Sequence, residues 1–232
     1  MNFTPLVLAA LVAGLTALDN VHVFQWMLSR PVVTGPIVGA IMGDLTSGMI
    51  CGAWIELIWL GVLPIGNYTP PDAQITAASA ATAAAVWSAD YESSRTAVSL
   101  LAVLAFVPIG VFSKLMDLSL RKHLAVKAEA ILACAPPYRT GGMIVASILP
   151  VFAKAAFAVV IVFVIAVVMK PVIVLLTSEP RVSKGLFFAA SLVPALGMVQ
   201  LARCIGAKGR EKWILLGVLA ATVVFLARGV KL

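Results

Sequence analysis

Apolar residues in this chain are gathered into long runs, and most charged residues lie in the stretches between them. Residues 1–18 and 96–113 contain no charge, and residues 140–169 contain only Lys154. Two further apolar runs follow at residues 185–202 and 213–227, the second of which is marginally short. A helix needs roughly 17–25 residues to cross the hydrocarbon core of a bilayer, so these runs predict membrane helices.

Between residues 31 and 89 the apolar segments are shorter and are interrupted by many Gly and Pro residues. Segments of this kind are typical of broken or re-entrant helices that line a site. We therefore predict an all-α integral membrane protein, a multi-span helical bundle with broken or re-entrant helices in its N-terminal half. We expect one polytopic membrane domain over residues 1–232, with re-entrant elements in residues 1–89 and mainly spanning helices in residues 96–232.

The composition supports a bilayer environment. Hydrophobic residues make up 62% of the chain, charged residues only 12%, and the mean hydropathy is +1.06. A soluble domain is about half apolar and a quarter charged, so the surplus here is best placed against lipid. The net charge of +7 is interpreted as a topology signal. Nucleic-acid binding is not expected, because the aromatic residues are not interleaved with basic ones.

Basic residues cluster in two connections between the apolar runs. Five lie within residues 114–139 and four within residues 203–212. Connections rich in Lys and Arg are retained on the cytoplasmic side of a membrane. We therefore predict that residues 114–139 form the main cytoplasmic loop and that the second cluster lies on the same side.

A ladder of glycines precedes and follows Asp44. Its members recur at nearly every fourth position: Gly35, Gly39, Gly43, Gly48 and Gly52. On a helix this spacing exposes a strip of backbone against which another helix can pack closely. Packing is the favoured interpretation, and direct approach of a substrate to the backbone is the alternative. Asp44, directly after Gly43, is expected to form a turn and a helix cap.

Glu56 is the acidic residue that most needs an explanation, because residues 45–71 are otherwise uncharged. A carboxylate in a membrane segment costs several kcal/mol unless it meets a partner, a proton or a water-filled cavity. Such residues are candidates for function by default. The alternative is a structural ion pair, with Arg30 or Lys154 as the basic partner.

A polar cluster follows at residues 66–72, where Pro70 and Pro71 prevent a helix. Asn67 and Asp72 can each form hydrogen bonds with adjacent hydroxyl groups, which suits a sugar-like ligand. The alternative is an exposed turn in which Asp72 caps the following Ala-rich helix. The cluster alone does not decide between them.

No catalytic or metal-binding pattern accompanies these residues. The three cysteines are far apart without CxxC spacing, and the two histidines are isolated. The sequence contains no GxGxxG or P-loop pattern. We therefore expect no metal, no cofactor and no catalytic residues.

Several ordered motifs in residues 19–85 now point to a family. They are Arg30-Pro31, the run Gly-Ala-Ile-Met-Gly-Asp that ends at Asp44, the run Glu-Leu-Ile-Trp-Leu-Gly that begins at Glu56, and Pro71-Asp72. This order resembles the membrane IIC component of the mannose/fructose/sorbose family of bacterial phosphotransferase systems. The resemblance implies a sugar-translocating subunit, and not an enzyme, that moves a hexose or amino sugar across the inner membrane for phosphorylation by a IIB partner.

The resemblance also implies partners and site residues. The partners are a IID membrane subunit, cytoplasmic IIA and IIB phosphocarriers and the sugar, in a hetero-oligomer with three copies of IIC in the bilayer. Glu56, Asn67 and Asp72 fall on the polar sugar-site region of the family, and Gly43-Asp44 on its signature turn. Two alternatives remain: a cation-coupled secondary transporter whose acids bind protons or Na⁺, and a non-transporting scaffold whose glycine face recruits partners.

Overall fold

The computed structural model of the chain is helical throughout its regular elements. It describes residues 3–19, 26–62, 68–88, 95–132 and 136–204, together with isolated positions between 212 and 223. Within these residues eight helices follow one another: α1 Phe3–Asp19, α2 Pro31–Met42, α3 Leu45–Trp59, α4 Ala73–Ser88, α5 Arg95–Leu132, α6 Pro136–Ser178, α7 Pro180–Ala190 and α8 Leu192–Cys204. The predicted all-α class is confirmed.

Helices α2 and α3 form a tight antiparallel hairpin. Pro31 begins α2, where its missing N–H costs nothing, and Gly43 ends it with φ of 87°, a conformation that favours glycine. The Asp44 side chain then caps α3 by accepting a hydrogen bond from the Ser47 N–H at 3.1 Å. With 12 and 15 residues, the helices are about 18 and 22 Å long, shorter than a hydrocarbon core of about 30 Å.

The glycine ladder forms the contact between these two helices. A methyl group on Gly39 would lie 2.7 Å from the Cα of Gly48, and one on Gly35 would lie 2.7 Å from the Cα of Gly52. Only hydrogen fits between backbones at this separation, so the helix that approaches the predicted small-residue face is α3 of the same chain.

Helix α4 lies at the centre of the bundle. All its residues from Gln74 to Ser88 are buried, and it packs against α1, α2, α3, α5 and α6. Alanine dominates the helix, and its small side chain lets many neighbours approach the axis. Near the C-terminal end, the Trp87 indole N–H donates to the carbonyl of Ala166 on α6 at 2.8 Å, which satisfies the one polar atom of a fully enclosed ring.

Helices α5 and α6 are much longer, with 38 and 43 residues. At 1.5 Å per residue they extend about 57 and 64 Å, so each exceeds the thickness of a hydrocarbon core. The sequence predicted a loop from residue 114, but α5 continues to Leu132. The physical reason is that residues 114–132 contain neither Gly nor Pro and are rich in Leu, Ala and Lys, which favour helix.

Two described stretches are long and apolar enough to cross a membrane, Arg95–Glu129 and Pro180–Cys204. Shorter apolar helices accompany them at Thr4–Ala17, Pro31–Met42, Leu45–Trp59 and Val162–Ser178. Ser191 divides the second long stretch into α7 and α8. The predicted last span, residues 213–227, lies largely outside the described residues.

Candidate functional site

A cavity of about 450 Å³ opens where α1 ends, α2 begins, α3 ends and α4 begins. Residues at all four helix ends line it. The polar, charged and aromatic ones are chiefly Asp19, Arg30, Glu56, Trp59 and Gln74. Volumes of this size are typical of small-molecule sites. The cavity therefore lies where four helix ends meet, in the half of the chain for which the sequence predicted a site.

Glu56 reaches this cavity from the last turn of α3. Its Oε1 accepts a hydrogen bond from Nη1 of Arg30 at 2.9 Å, so the predicted acid has a basic partner directly before α2. The Glu56 side chain is 19% exposed and the Arg30 side chain 54%. The second carboxylate oxygen, Oε2, is buried and accepts no hydrogen bond from any described residue. The side chain of Lys154, the other expected partner, lies outside the described part of the chain.

Asp19 shapes the segment that carries Arg30. Its carboxylate accepts hydrogen bonds from the backbone N–H groups of Trp26 at 2.7 Å and Ser29 at 3.2 Å. Between these residues Met27 has φ of 63°, which a side chain other than glycine rarely adopts without support from its surroundings. The carboxylate thus folds residues 26–30 back over the end of α1. The sequence indicated only a helix end at Asp19, because these bonds join residues up to ten positions apart.

Gln74 enters the cavity from the first turn of α4, and the sequence analysis did not select it. Its Nε2 donates to the carbonyl of Ala13 at 2.8 Å and to the Thr16 hydroxyl at 2.7 Å, both on α1. Its Oε1 is buried and has no donor among the described residues. The available signal was a large polar side chain at the start of an Ala-rich helix, which is also a common surface pattern.

Asp72 forms the contacts that its capping alternative requires. One carboxylate oxygen accepts from the Ile75 N–H at 3.2 Å in the first turn of α4, and the other accepts from the Ser113 hydroxyl on α5 at 3.1 Å. The Asp72 N–H donates to the Gly110 carbonyl at 3.0 Å. The residue joins α4 to α5 and is not part of the cavity lining. Asn67 lies outside the described residues.

Asp44 lies at the opposite end of the α2–α3 hairpin from the cavity. Besides capping α3, its Oδ2 accepts from the hydroxyls of Ser47 at 2.7 Å and Ser88 at 2.6 Å, and Nε of Arg95 lies 3.8 Å away. Ser88 ends α4 and Arg95 begins α5. The predicted turn therefore also fixes the tip of the hairpin to the α4–α5 connection.

The fold and the cavity define a helical membrane protein with a charged site among the ends of short helices. A solved chain titled as the structure of a membrane protein superposes with a TM-score of 0.66, covering 99% of this chain and 93% of the other at 21% identity. A chain from a cryo-EM structure of the mannose transporter ManYZ with microcin E492 superposes with a TM-score of 0.54, covering 100% and 96% at 20% identity. At these identities the likeness establishes the fold.

Within that class, the chain belongs to the family described as the sorbose-specific IIC component of the phosphotransferase system, whose model matches residues 3–229. It is 38% identical over 63 residues to a protein named putative N-acetylgalactosamine permease IIC component 2 of Escherichia coli. It is 32% identical over 75 residues to the fructose permease IIC component of Bacillus subtilis, and 31% over 70 to the mannose-specific EIIC component of Escherichia coli.

These matches are local. They cover 27%, 32% and 30% of this chain and 44%, 28% and 26% of the three relatives, respectively. The chain thus matches less than half the length of each of them. The family membership predicted from the ordered motifs is confirmed, and IIC components of this family are membrane permease subunits that work with other subunits of the system.

Proposed function

We propose that this chain is the sugar-translocating IIC subunit of a mannose-family phosphotransferase system. The observation that carries the proposal is the cavity of about 450 Å³ with Glu56 in its wall, one carboxylate oxygen held by Arg30 and the other without a donor among the described residues. A carboxylate in the wall of a cavity of this size suits a small ligand that brings hydroxyl groups. The family match over residues 3–229 supports the same function.

The proposed substrate is a hexose or amino sugar. The relatives carry the names of N-acetylgalactosamine, fructose and mannose permease components. These sugars share a ring with several adjacent donors and acceptors, which Glu56 and neighbouring polar groups can pair with. Of the predicted sugar ligands, Glu56 carries the proposal, and Asp72 is assigned to the cap of α4 on the contacts that it makes.

The setting proposed for the subunit follows the family. The chain would be a multi-pass protein of the bacterial inner membrane, assembled with a IID membrane subunit in a hetero-oligomer with three copies of IIC. Cytoplasmic IIA and IIB proteins would carry out phosphoryl transfer, so that this chain binds and moves the sugar without catalysing a reaction. The fold that this chain shares with a chain of the mannose transporter ManYZ supports this setting.

Uptake and binding together test the proposal. The full chain, co-expressed with a candidate IID subunit in cells that lack their own mannose-family permease, should support uptake of labelled mannose, fructose or N-acetylgalactosamine. Uptake should require phosphoenolpyruvate and a IIB protein, and it should survive a protonophore. Uptake that is abolished by the protonophore and independent of phosphoenolpyruvate would instead establish a cation-coupled transporter.

A further inference from the structure

The amide of Gln74 has an orientation that its neighbours determine. The atom 2.8 Å from the Ala13 carbonyl oxygen must be the nitrogen, because a carbonyl only accepts hydrogen bonds. The Thr16 hydroxyl, 2.7 Å from the same nitrogen, directs its own proton to the Val12 carbonyl at 2.9 Å and therefore also accepts. Both hydrogens of the amide are used on α1, so the group cannot flip.

The carbonyl oxygen of Gln74 is left without a partner. The residue is only 3% exposed, and its Oε1 is buried without a donor among the described residues. Native proteins rarely leave a buried polar atom unpaired, and the exceptions call for an explanation. The residue lines the same cavity as Glu56, whose Oε2 is also buried without a described donor. Two residues of one cavity wall thus each hold an unpaired acceptor, and a ligand that brings two donors would satisfy both.

We propose that Gln74 binds the transported sugar through Oε1, accepting a hydrogen bond from one hydroxyl or amide N–H of the ring. The proposal rests on the proposed function and adds a residue that determines which sugar fits. A ligand with a donor at the position facing Gln74 satisfies the carbonyl, whereas a ligand without one leaves it buried and unpaired. The side chain therefore discriminates between sugars that differ at a single ring position.

A purely structural role would give a different result. As a brace between α1 and α4, Gln74 would act only through its nitrogen, and removing an acceptor on α1 would have the same effect as removing Gln74. Thr16→Val removes one of those acceptors and leaves Oε1 in place, so it is the matched control. Gln74→Met removes both polar ends while keeping an unbranched side chain of similar length.

The experiment uses the full chain purified in detergent with its co-expressed membrane subunit. The affinities of mannose, fructose and N-acetylgalactosamine are measured by calorimetry, and the sugar that binds most tightly is then tested as its series of monodeoxyfluoro derivatives. Fluorine removes the hydroxyl donor at one position while nearly preserving its size. We expect one derivative to bind about tenfold more weakly than its parent sugar to the wild type and to Thr16→Val. Gln74→Met should bind that derivative and the parent sugar with equal affinity.

Equal losses for every derivative in wild type and Gln74→Met would overturn the role of Gln74 and leave the proposed function intact. If none of the three parent sugars bound the wild-type complex, the proposed function itself would be wrong. Gln74→Asn, whose side chain is one methylene shorter and places its oxygen farther from the ligand, is the second variant if Gln74→Met does not fold. It too should bind the parent sugar and the critical derivative with equal affinity.

Discussion

At the scale of single residues, the Arg30–Glu56 pair is the contact on which the proposed site depends. More than half of the Arg30 side chain is exposed, whereas the Glu56 side chain is 19% exposed. The guanidinium neutralises a carboxylate whose burial would otherwise be costly. Only Oε1 of Glu56 is used in this pair, so Oε2 is the oxygen that the proposal assigns to a ligand hydroxyl.

Glu56→Gln should weaken sugar binding by roughly ten- to hundredfold, because hydrogen bonds to a charged group are worth about 1.5–3 kcal/mol. Calorimetry on the purified complex measures the affinity, and the elution profile reports whether assembly survives. Glu179→Gln is the matched control, since Glu179 is exposed at the start of α7 and makes no side-chain cap bond. Unchanged affinity for Glu56→Gln would exclude the carboxylate as a ligand.

Asp72 should behave differently from Glu56. Asp72→Ala removes the cap of α4 and the bond to Ser113, so the free energy of unfolding should fall by about 1–2 kcal/mol while sugar affinity changes little. The free energy of unfolding should fall less for Asp72→Asn, because this variant retains a capping oxygen. Thermal denaturation and calorimetry on the same preparations separate the two effects. A loss of affinity at unchanged stability would instead support the predicted sugar contact of Asp72.

At the scale of elements, the α2–α3 hairpin acts as one rigid unit. Its glycines let the two backbones touch along their length, and Asp44 fixes the tip to Ser88 at the end of α4. The opposite end of the same hairpin supplies Arg30 and Glu56 to the cavity. The spacing of the site residues therefore depends on this close packing, which a side chain larger than that of glycine would prevent.

Gly39→Ala should destabilise the protein by about 1–3 kcal/mol or prevent its assembly, because the added methyl meets backbone atoms of Gly48 and Asp44 at 2.7 Å. Backbone cannot yield as a flexible side chain can. Gly185→Ala is the control: a methyl there has no neighbour within 4 Å among the described atoms. Melting temperatures of the detergent-extracted variants compare the two. Equal melting temperatures for both variants would mean that α2 and α3 can move apart without loss of stability.

At the scale of the whole molecule, helix length bears on topology. Helix α5 extends about 57 Å, so its basic end projects beyond a hydrocarbon core of about 30 Å. The positive-inside rule applies to this projecting helix as it would to a loop. We therefore expect the C-terminal part of α5 to lie on the cytoplasmic side of the membrane.

Ser119→Cys, in a background without Cys51, Cys134 and Cys204, tests this orientation. Ser119 is exposed on α5, so the thiol should be accessible to reagents from one side. An impermeant maleimide should leave it unlabelled in intact cells and label it after permeabilisation. Strong labelling from outside would reverse the orientation.

Assembly belongs to the same scale. In the sequence, the glycine face was a feature that could recruit a partner chain, and Glu56 was an acid that needed a basic partner. In the structure α3 covers the ladder and Arg30 pairs with Glu56, so neither feature is left for another chain. A IID surface would have to be found elsewhere, and the exposed apolar residues of α6 and α8 offer area for both lipid and protein.

The sequence by itself determined the membrane environment, the helical class, the family and Glu56 as a charged residue needing an explanation. These follow from composition, run length and local motifs, which are properties of neighbouring residues. Only the tertiary structure decided that α3 fills the glycine face of α2, that Asp72 caps α4, and that Gln74 joins Glu56 around one cavity. The contacts Gly35–Gly52, Asp72–Ser113 and Gln74–Ala13 join residues 17, 41 and 61 positions apart. They depend on how helices pack, and a single sequence contains no direct record of that packing.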